Sequence, residues 1–242
     1  MGNHVPGGIA MELSYVRENA ERVMEELERA CRAAGRTPPT LVAVTKGGTD
    51  EEVLALVHTG LISHIAENRV DKFLARRDLM TADGYRGGFH MIGSLQTNKV
   101  KHLIGKTTLI QSLDSLALAR ELEKRAEAAE VGEVACLVEI NSGRESAKGG
   151  ILPEEAERFF EALGQYRHIR VEGFMTMGPA GVPESETRKC FAETRGLWES
   201  FISRGYLSPA ATLSMGMSES YTLALEEGAN MVRIGRAFWK KQ

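Results

Sequence analysis

Eight short apolar runs, set apart by stretches of helical period, constrain what this chain can fold into more than any other feature. They are LVAVTK from Leu41, HIAEN from His64, GFHMIG from Gly88, TLIQSLD from Thr108, ACLVEIN from Ala135, VEGFMTM from Val171, ATLSMG from Ala211 and MVRIG from Met231. Their starts lie 20 to 40 residues apart, too far for hairpins. Between them lie amphipathic stretches such as 50–58, 115–129, 153–163 and 184–203. Near-continuous apolar strands alternating with helices indicate a parallel sheet covered on both faces. A closed barrel of eight such units takes ~250 residues, and the chain has 242. The expected fold class is therefore α/β: a single (β/α)8 TIM barrel occupying residues 1–242 as one domain. An extra N-terminal helix is expected at 12–34, where Leu13, Val16, Ala20, Val23, Met24, Leu27, Ala30 and Cys31 recur at helical spacing before Gly35 stops it. The Gly-rich first ten residues are expected to be disordered. An open doubly wound sheet is the alternative, but LVAVTK runs into Gly47-Gly48-Thr49-Asp50 and not into GxGxxG.

Composition narrows the function classes. A net charge of −3 with both signs interspersed gives no case for nucleic acid. No apolar run approaches the ~18 residues of a membrane span, and without a charged-then-apolar opening no leader is expected. Three widely separated cysteines, Cys31, Cys136 and Cys190, suit a reducing cytoplasm and suggest neither a disulfide framework nor a metal site.

In a (β/α)8 barrel, functional groups gather where the strands end. The strand ends here read Lys46, Asn68, His90 with Gly93, Asp114, Asn141, Met177, Ser214 with Gly216, and Arg233 with Gly235. That rim is polar for strands so apolar at their starts. A lysine at the end of the first strand can have its ammonium desolvated by the barrel walls, which favours imine formation with an aldehyde. Position alone favours a lysine that reaches out to solvent, since lysines are common at strand ends. Ser218 reads as the N-cap of a helix at 219–227, and Gly235-Arg236 offers a close backbone approach and a cation on the adjacent loop. Together these fit a phosphate between the loops after strands seven and eight; singly, they read as a cap and a turn. Arg233 shares a strand face with Gly235 and needs an acceptor, either a ligand or a rim carboxylate such as Glu67 or Glu139. His90 reads by default as a core histidine with satisfied nitrogens.

The signatures AVTK, AEN, FHMIGSLQTNK, EINSGRESAKGG, GFMTMGP, LSMGMSES and VRIGRAF follow one another at successive strand ends. In them the chain resembles the pyridoxal-phosphate homeostasis proteins, single-domain relatives of the alanine racemase barrel, from Leu13 to Phe238. The resemblance implies a fold-type III barrel that binds pyridoxal 5′-phosphate (PLP), with Lys46 as the covalent imine lysine and Asn68 and His90 lining the ring. It places Ser214, Ser218, Gly235 and Arg236 around the phosphate, with Met215 counted in the same loop, and turns Arg233 towards the pyridine nitrogen. Ala66, Arg69, Ser94, Arg236 and Trp239 depart from the family's usual residues, and Arg236 is the phosphate contact this puts most in doubt. Lys99 and Lys148 fall in signature loops, where a transfer station for the cofactor and plain solvated lysines both fit, the second better.

Two function classes use such a site. Racemisation or decarboxylation by a PLP enzyme of the alanine racemase type needs acid/base groups on both faces of the cofactor. The racemases take the second from a tyrosine of a separate β domain, and none is expected here, since the chain ends at Gln242 directly after the barrel. Of Tyr15, Tyr85, Tyr166, Tyr206 and Tyr221, none ends a strand, and Tyr221, after strand seven, is the one to check. The resemblance therefore implies a carrier or buffer in PLP homeostasis without catalytic turnover. A cytoplasmic monomer is expected, with apo PLP-dependent enzymes as candidate recipients. A barrel for another phosphorylated metabolite, forming no imine, is a third class.

Overall fold

The computed structural model describes residues 13–241; the disorder expected for the first ten residues lies outside this range. Eight strands occur in chain order: β1 Thr40–Val44, β2 His64–Glu67, β3 Gly88–Met91, β4 Leu109–Leu113, β5 Val134–Glu139, β6 Ile169–Met175, β7 Thr212–Ser214 and β8 Met231–Ile234. Each pairs in parallel with the next, and β8 returns to β1 in the register Thr40↔Met231 to Ala43↔Ile234, so the sheet closes into a barrel. The open doubly wound alternative is thereby excluded.

The helices are α1 Ser14–Ala34, α2 Asp50–His58, α3 Val70–Ala82, α4 Leu116–Ala128, α5 Ala156–Leu163, α6 Glu184–Ser203, α7 Tyr221–Glu226 and α8 Arg236–Trp239. The crossover from β3 to β4 uses a short 3-10 helix, Thr97–His102, in place of an α-helix. Local chemistry sets several boundaries. Thr49 and Glu52 form a reciprocal capping box at the start of α2. Ser115 Oγ accepts the Leu118 N–H at the start of α4. Gly35 ends α1 in the left-handed region at φ 64°, as its position suggested.

Strand alternation divides the apolar residues into two layers. Val42, Ala66, Leu109, Ala135, Leu137, Met175 and Met231 fill the barrel interior, with Ile92 and Met177 packed above them. Their neighbours along the strands face the helices, where Phe160, Phe174 and Phe201 meet edge to face at centroid distances of 4.9 to 5.6 Å. Among the described residues, no helix is long and apolar enough to cross a membrane.

One polar residue interrupts the buried stripe of α1. Asn19 is fully buried and donates Nδ2 to the carbonyls of Phe238 and Lys240, 2.9 Å each, satisfying acceptors that the end of α8 leaves open. Trp239 of α8 in turn lays its indole on the Gly47-Gly48 turn. A Cβ on Gly48 would lie 3.0 Å from the ring, and the indole N–H donates to Val44 O at 3.3 Å. The first and last helices thus brace the turn that carries Lys46.

Phe174 is fully buried in the outer layer. Replacing it with Ala should cost about 3–5 kcal/mol, read as a lower urea midpoint at unchanged denaturant slope. Leu61→Ser, at a 37% exposed position, should move stability by no more than about 0.5 kcal/mol.

Candidate functional site: a cavity at the mouth of the barrel

The strand ends converge on a cavity of about 500 Å3, a size suited to a cofactor. Lys46, Asn68, Glu139, Lys148, Ser218, Arg233, Gly235 and Arg236 supply its polar wall, and Val44, Ile92, Met177 and Met217 its apolar one.

Lys46, expected to end the first strand, stands two residues beyond the observed end of β1 at Val44, in a 3-10 turn at Thr45–Gly47. Its backbone is held from both sides. Thr45 Oγ1 engages Glu67 Oε1 at 2.6 Å and Ala66 O at 3.1 Å, while Arg76 donates to Gly48 O at 3.0 Å and Asp50 Oδ1 at 2.5 Å. The side chain is exposed at the cavity mouth, as the solvent-reaching reading has it, and the barrel walls do not enclose it. It has no ion-pair or hydrogen-bond partner among the described residues. Asn68 follows β2 and lines the same cavity. Its carbonyl presses on Gly93, where a Cβ would approach to 2.1 Å, so only glycine fits there.

Arg233 is buried and lines the cavity from beneath. Its Nη1 donates to Ser214 Oγ at 2.5 Å and its Nη2 to Thr176 O at 2.9 Å. Neither candidate carboxylate pairs with it: Glu67 is engaged by Thr45 and by Arg76 at 3.6 Å, and Glu139 acts on it only through its field. Burial pulls the guanidinium down to about 10, which leaves it charged at neutral pH.

The loops after β7 and β8 meet at Ser218, whose Oγ accepts the Gly235 N–H at 3.3 Å. This corrects the N-cap reading of Ser218: the helix is shorter than 219–227, begins at Tyr221, and has Ser220 at its N-cap. Arg236 is on the cavity wall but directs its guanidinium to Glu219 at 2.7 Å.

Three expected residues do not line the cavity. His90 is 1% exposed, one interior position below Ile92, with Nδ1 on Gln111 and Nε2 on His64. The default core reading of this histidine describes it, and the ring-lining expectation finds no support in the cavity wall. Ser214 is fully buried between Gln111 and Arg233. Met215 points the other way, into the helix-facing core, and its N–H is taken by Met231 O at 3.1 Å. The physical reason is alternation: residues adjacent on a strand face opposite layers, and those a step earlier lie a level deeper.

Two wall residues were missed or misjudged from sequence. Lys148 is half-buried, donating to Glu145 Oε1 at 2.8 Å and Gly178 O at 3.4 Å, so it is not simply solvated. Asn141 orders its loop by donating to Glu145 O and accepting the Glu145 N–H. Glu139 entered the sequence reading only as a possible partner for Arg233. Its place could have been found by parity, since Ala135 and Leu137 on the same strand are interior. It is 4% exposed. Burial, then the nearby Asp114 charge, pushes its carboxyl up to about 7, against the pull of Arg233 and Lys148.

A carboxyl raised in the folded state costs stability once pH exceeds its unfolded value, and the cost is complete above the folded one. Glu139→Gln should therefore stabilise the protein by on the order of 2–3 kcal/mol near pH 8, with the gain vanishing towards about pH 4.5. Urea midpoints of both proteins across that range measure it; a gain independent of pH would show that Glu139 does not titrate there.

Residues 15–241 match the alanine racemase N-terminal domain family. The pyridoxal phosphate homeostasis protein of Aquifex aeolicus is 37% identical over 220 residues, covering 90% of this chain and 94% of that protein. That of Helicobacter pylori strain 26695 is 34% identical, covering 93% and 98%. Among solved structures, PipY of Synechococcus elongatus with PLP bound superposes with a TM-score of 0.74 at 27% identity, covering 88% of this chain and 99% of that one. The matched span takes in every strand of the barrel and every residue of the cavity wall, and on these findings the chain belongs to the pyridoxal phosphate homeostasis protein family.

Proposed function

We propose that the cavity binds PLP, held on Lys46 as an imine, and that the protein carries or buffers the cofactor without turning over a substrate. The observation that carries this reading is the arrangement of the cavity itself. A lysine amine with no partner among the described residues shares one cavity with the wall where Ser218 and Gly235 meet beside Arg236, and with Arg233 beneath. The relatives' names and the PLP held by PipY give the cofactor its identity.

When bound, PLP supplies an aldehyde that condenses with a primary amine and releases water. The chain's own residues have simpler tasks. Ser218 Oγ already accepts one N–H, so its hydroxyl hydrogen is available to a phosphate oxygen. Arg236 is within the same wall and would exchange Glu219 for that phosphate. Arg233 only donates and stays charged, so it would not supply a pyridine nitrogen with an acid partner, and a ring bound there would be a weak electron sink.

Two features favour a carrier over a catalyst. Lys46 is exposed, which leaves an imine open to water and to incoming amines. Among the described residues no tyrosine lines the cavity, and Tyr221 Oη donates instead to Glu26 of α1 at 2.9 Å. The free, buried cysteines Cys31, Cys136 and Cys190 accord with a reducing cytoplasm. Apo PLP-dependent enzymes are the proposed recipients, and a monomer the proposed working form. One feature favours the alternative: burial raises the Glu139 carboxyl on the cavity wall to about 7, where it could serve as the second acid/base group of a racemase or decarboxylase.

Borohydride reduction of PLP-loaded protein, followed by peptide mapping, should place the adduct on Lys46, and Lys46→Ala should lose the imine absorption. A protein that stays colourless with PLP would point to another phosphorylated ligand. Alanine racemisation by the pure protein should not exceed that of Lys46→Ala; a clear rate abolished by Glu139→Gln would establish the catalytic alternative.

A further inference from the structure

A file of hydrogen-bonded side chains runs through the barrel interior from the cavity floor towards the opposite end. Arg233 Nη1 meets Ser214 Oγ at 2.5 Å, and Ser214 Oγ meets Gln111 Oε1 at 2.7 Å. Gln111 Nε2 meets His90 Nδ1 at 2.9 Å, and His90 Nε2 meets His64 Nδ1 at 3.1 Å. The five residues come from β8, β7, β4, β3 and β2, and all but His64 are buried.

Donor chemistry gives the file one direction. A guanidinium can only donate, so Ser214 Oγ accepts from it and directs its own hydrogen to Gln111 Oε1. The amide then presents N–H to His90 Nδ1. His90 therefore carries its hydrogen on Nε2 and donates it to His64 Nδ1. Protonating either histidine would set two donors face to face, and burial keeps both from doing so, holding His90 down at about 3 and lowering His64.

Barrel interiors are usually filled by branched apolar side chains, and a buried polar file is tolerable only when every member is satisfied. Here it has a consequence at the cavity. Arg233 is anchored by neutral acceptors, Ser214 and Thr176 O, with no ion-paired carboxylate, so its charge stays available to the cavity while its orientation is fixed. We propose that Gln111, two hydrogen bonds from the cavity, is a positioning residue that locks the Arg233 guanidinium in place through Ser214 and sets His90 in its Nε2–H form. Only the cofactor consequence rests on the PLP reading above.

The test begins on PLP-free protein labelled with 15N. At neutral pH the wild type should show His90 protonated at Nε2 and accepting at Nδ1, and resolved Arg233 Nη–H signals from a guanidinium that does not rotate freely. In Gln111→Leu those Arg233 signals should broaden and the single His90 form should be lost. In Gln111→Glu, a carboxylate that can only accept should turn His90 to a form with hydrogen on Nδ1. A wild-type His90 with its hydrogen on Nδ1, or Arg233 signals unchanged in folded Gln111→Leu, would overturn the proposal whether or not PLP binds. With PLP loaded, Gln111→Leu should retain it on the order of tenfold less tightly and shift the pH titration of the bound chromophore. Loss of the Arg233 signals with unchanged retention and titration would confine the file to the apo protein and overturn its role at the cofactor. Failure of the wild type to bind PLP would count against the function proposed above, while the NMR spectra of the PLP-free protein would still decide the role of Gln111.

Discussion

The pairing of β8 with β1 is the constraint on which the rest of the molecule depends. It brings the exit of the first strand against the exit of the last, so that Lys46 and the Gly235-Arg236 turn share one cavity although they stand near opposite ends of the chain. The approach is tight: a Cβ on Gly235 would lie 3.0 Å from Val44 O. Closure is driven by burying both faces of every strand, and it leaves no sheet edge with unpaired backbone groups. β4 and β5, buried at every residue, show how completely the strands are enclosed.

Closure also explains why α1 and α8 matter to the cavity. The last strand ends beside the Lys46 turn, and whatever follows it must pack there. Trp239 fills that space against Gly47 and Gly48, and Asn19 holds the carbonyls around Trp239 in place. A buried asparagine in an apolar stripe is costly unless satisfied, and here its amide meets two helix-terminal acceptors that would otherwise lack partners.

The cavity's electrostatics follow from which cations are already paired. Lys148 is matched by Glu145 and Arg236 by Glu219, each at under 3 Å. Lys46 has no partner among the described residues, and Arg233 is satisfied by neutral oxygen atoms, so these two set the attraction for an anionic ligand. One is exposed and open to exchange with solvent; the other is buried and fixed. Glu139 opposes them only in part, because burial beside Asp114 favours its neutral form. A site of this kind attracts an anion without sealing it from solvent, which is the physical basis on which exchange is proposed over turnover.

Much of this architecture was legible in the linear sequence. Eight apolar runs at barrel spacing, a glycine stop at Gly35 and the helix at 184–203 all rest on short-range periodicity and backbone preference, which a sequence carries directly. Likewise, the position of polar residues at strand ends located the cavity, since strand ends share one face in any such barrel. What remained hidden was depth and facing. The register between β4 and β5 shifts between Ile110 and Leu113, leaving Gln111 and Ser112 both buried, so alternation could not be read through that strand. His90 and Ser214 lie a level below the cavity and Met215 lies outside the barrel, distinctions of a single step along a strand. The partners of Asn19, Gln111 and Arg233 are separated from them by up to 221 residues. The sequence by itself therefore determined the elements, their order and the face that bears the site. Only the tertiary structure decided which side chains meet there, because hydrogen-bond partnership depends on register, closure and depth that no local pattern encodes.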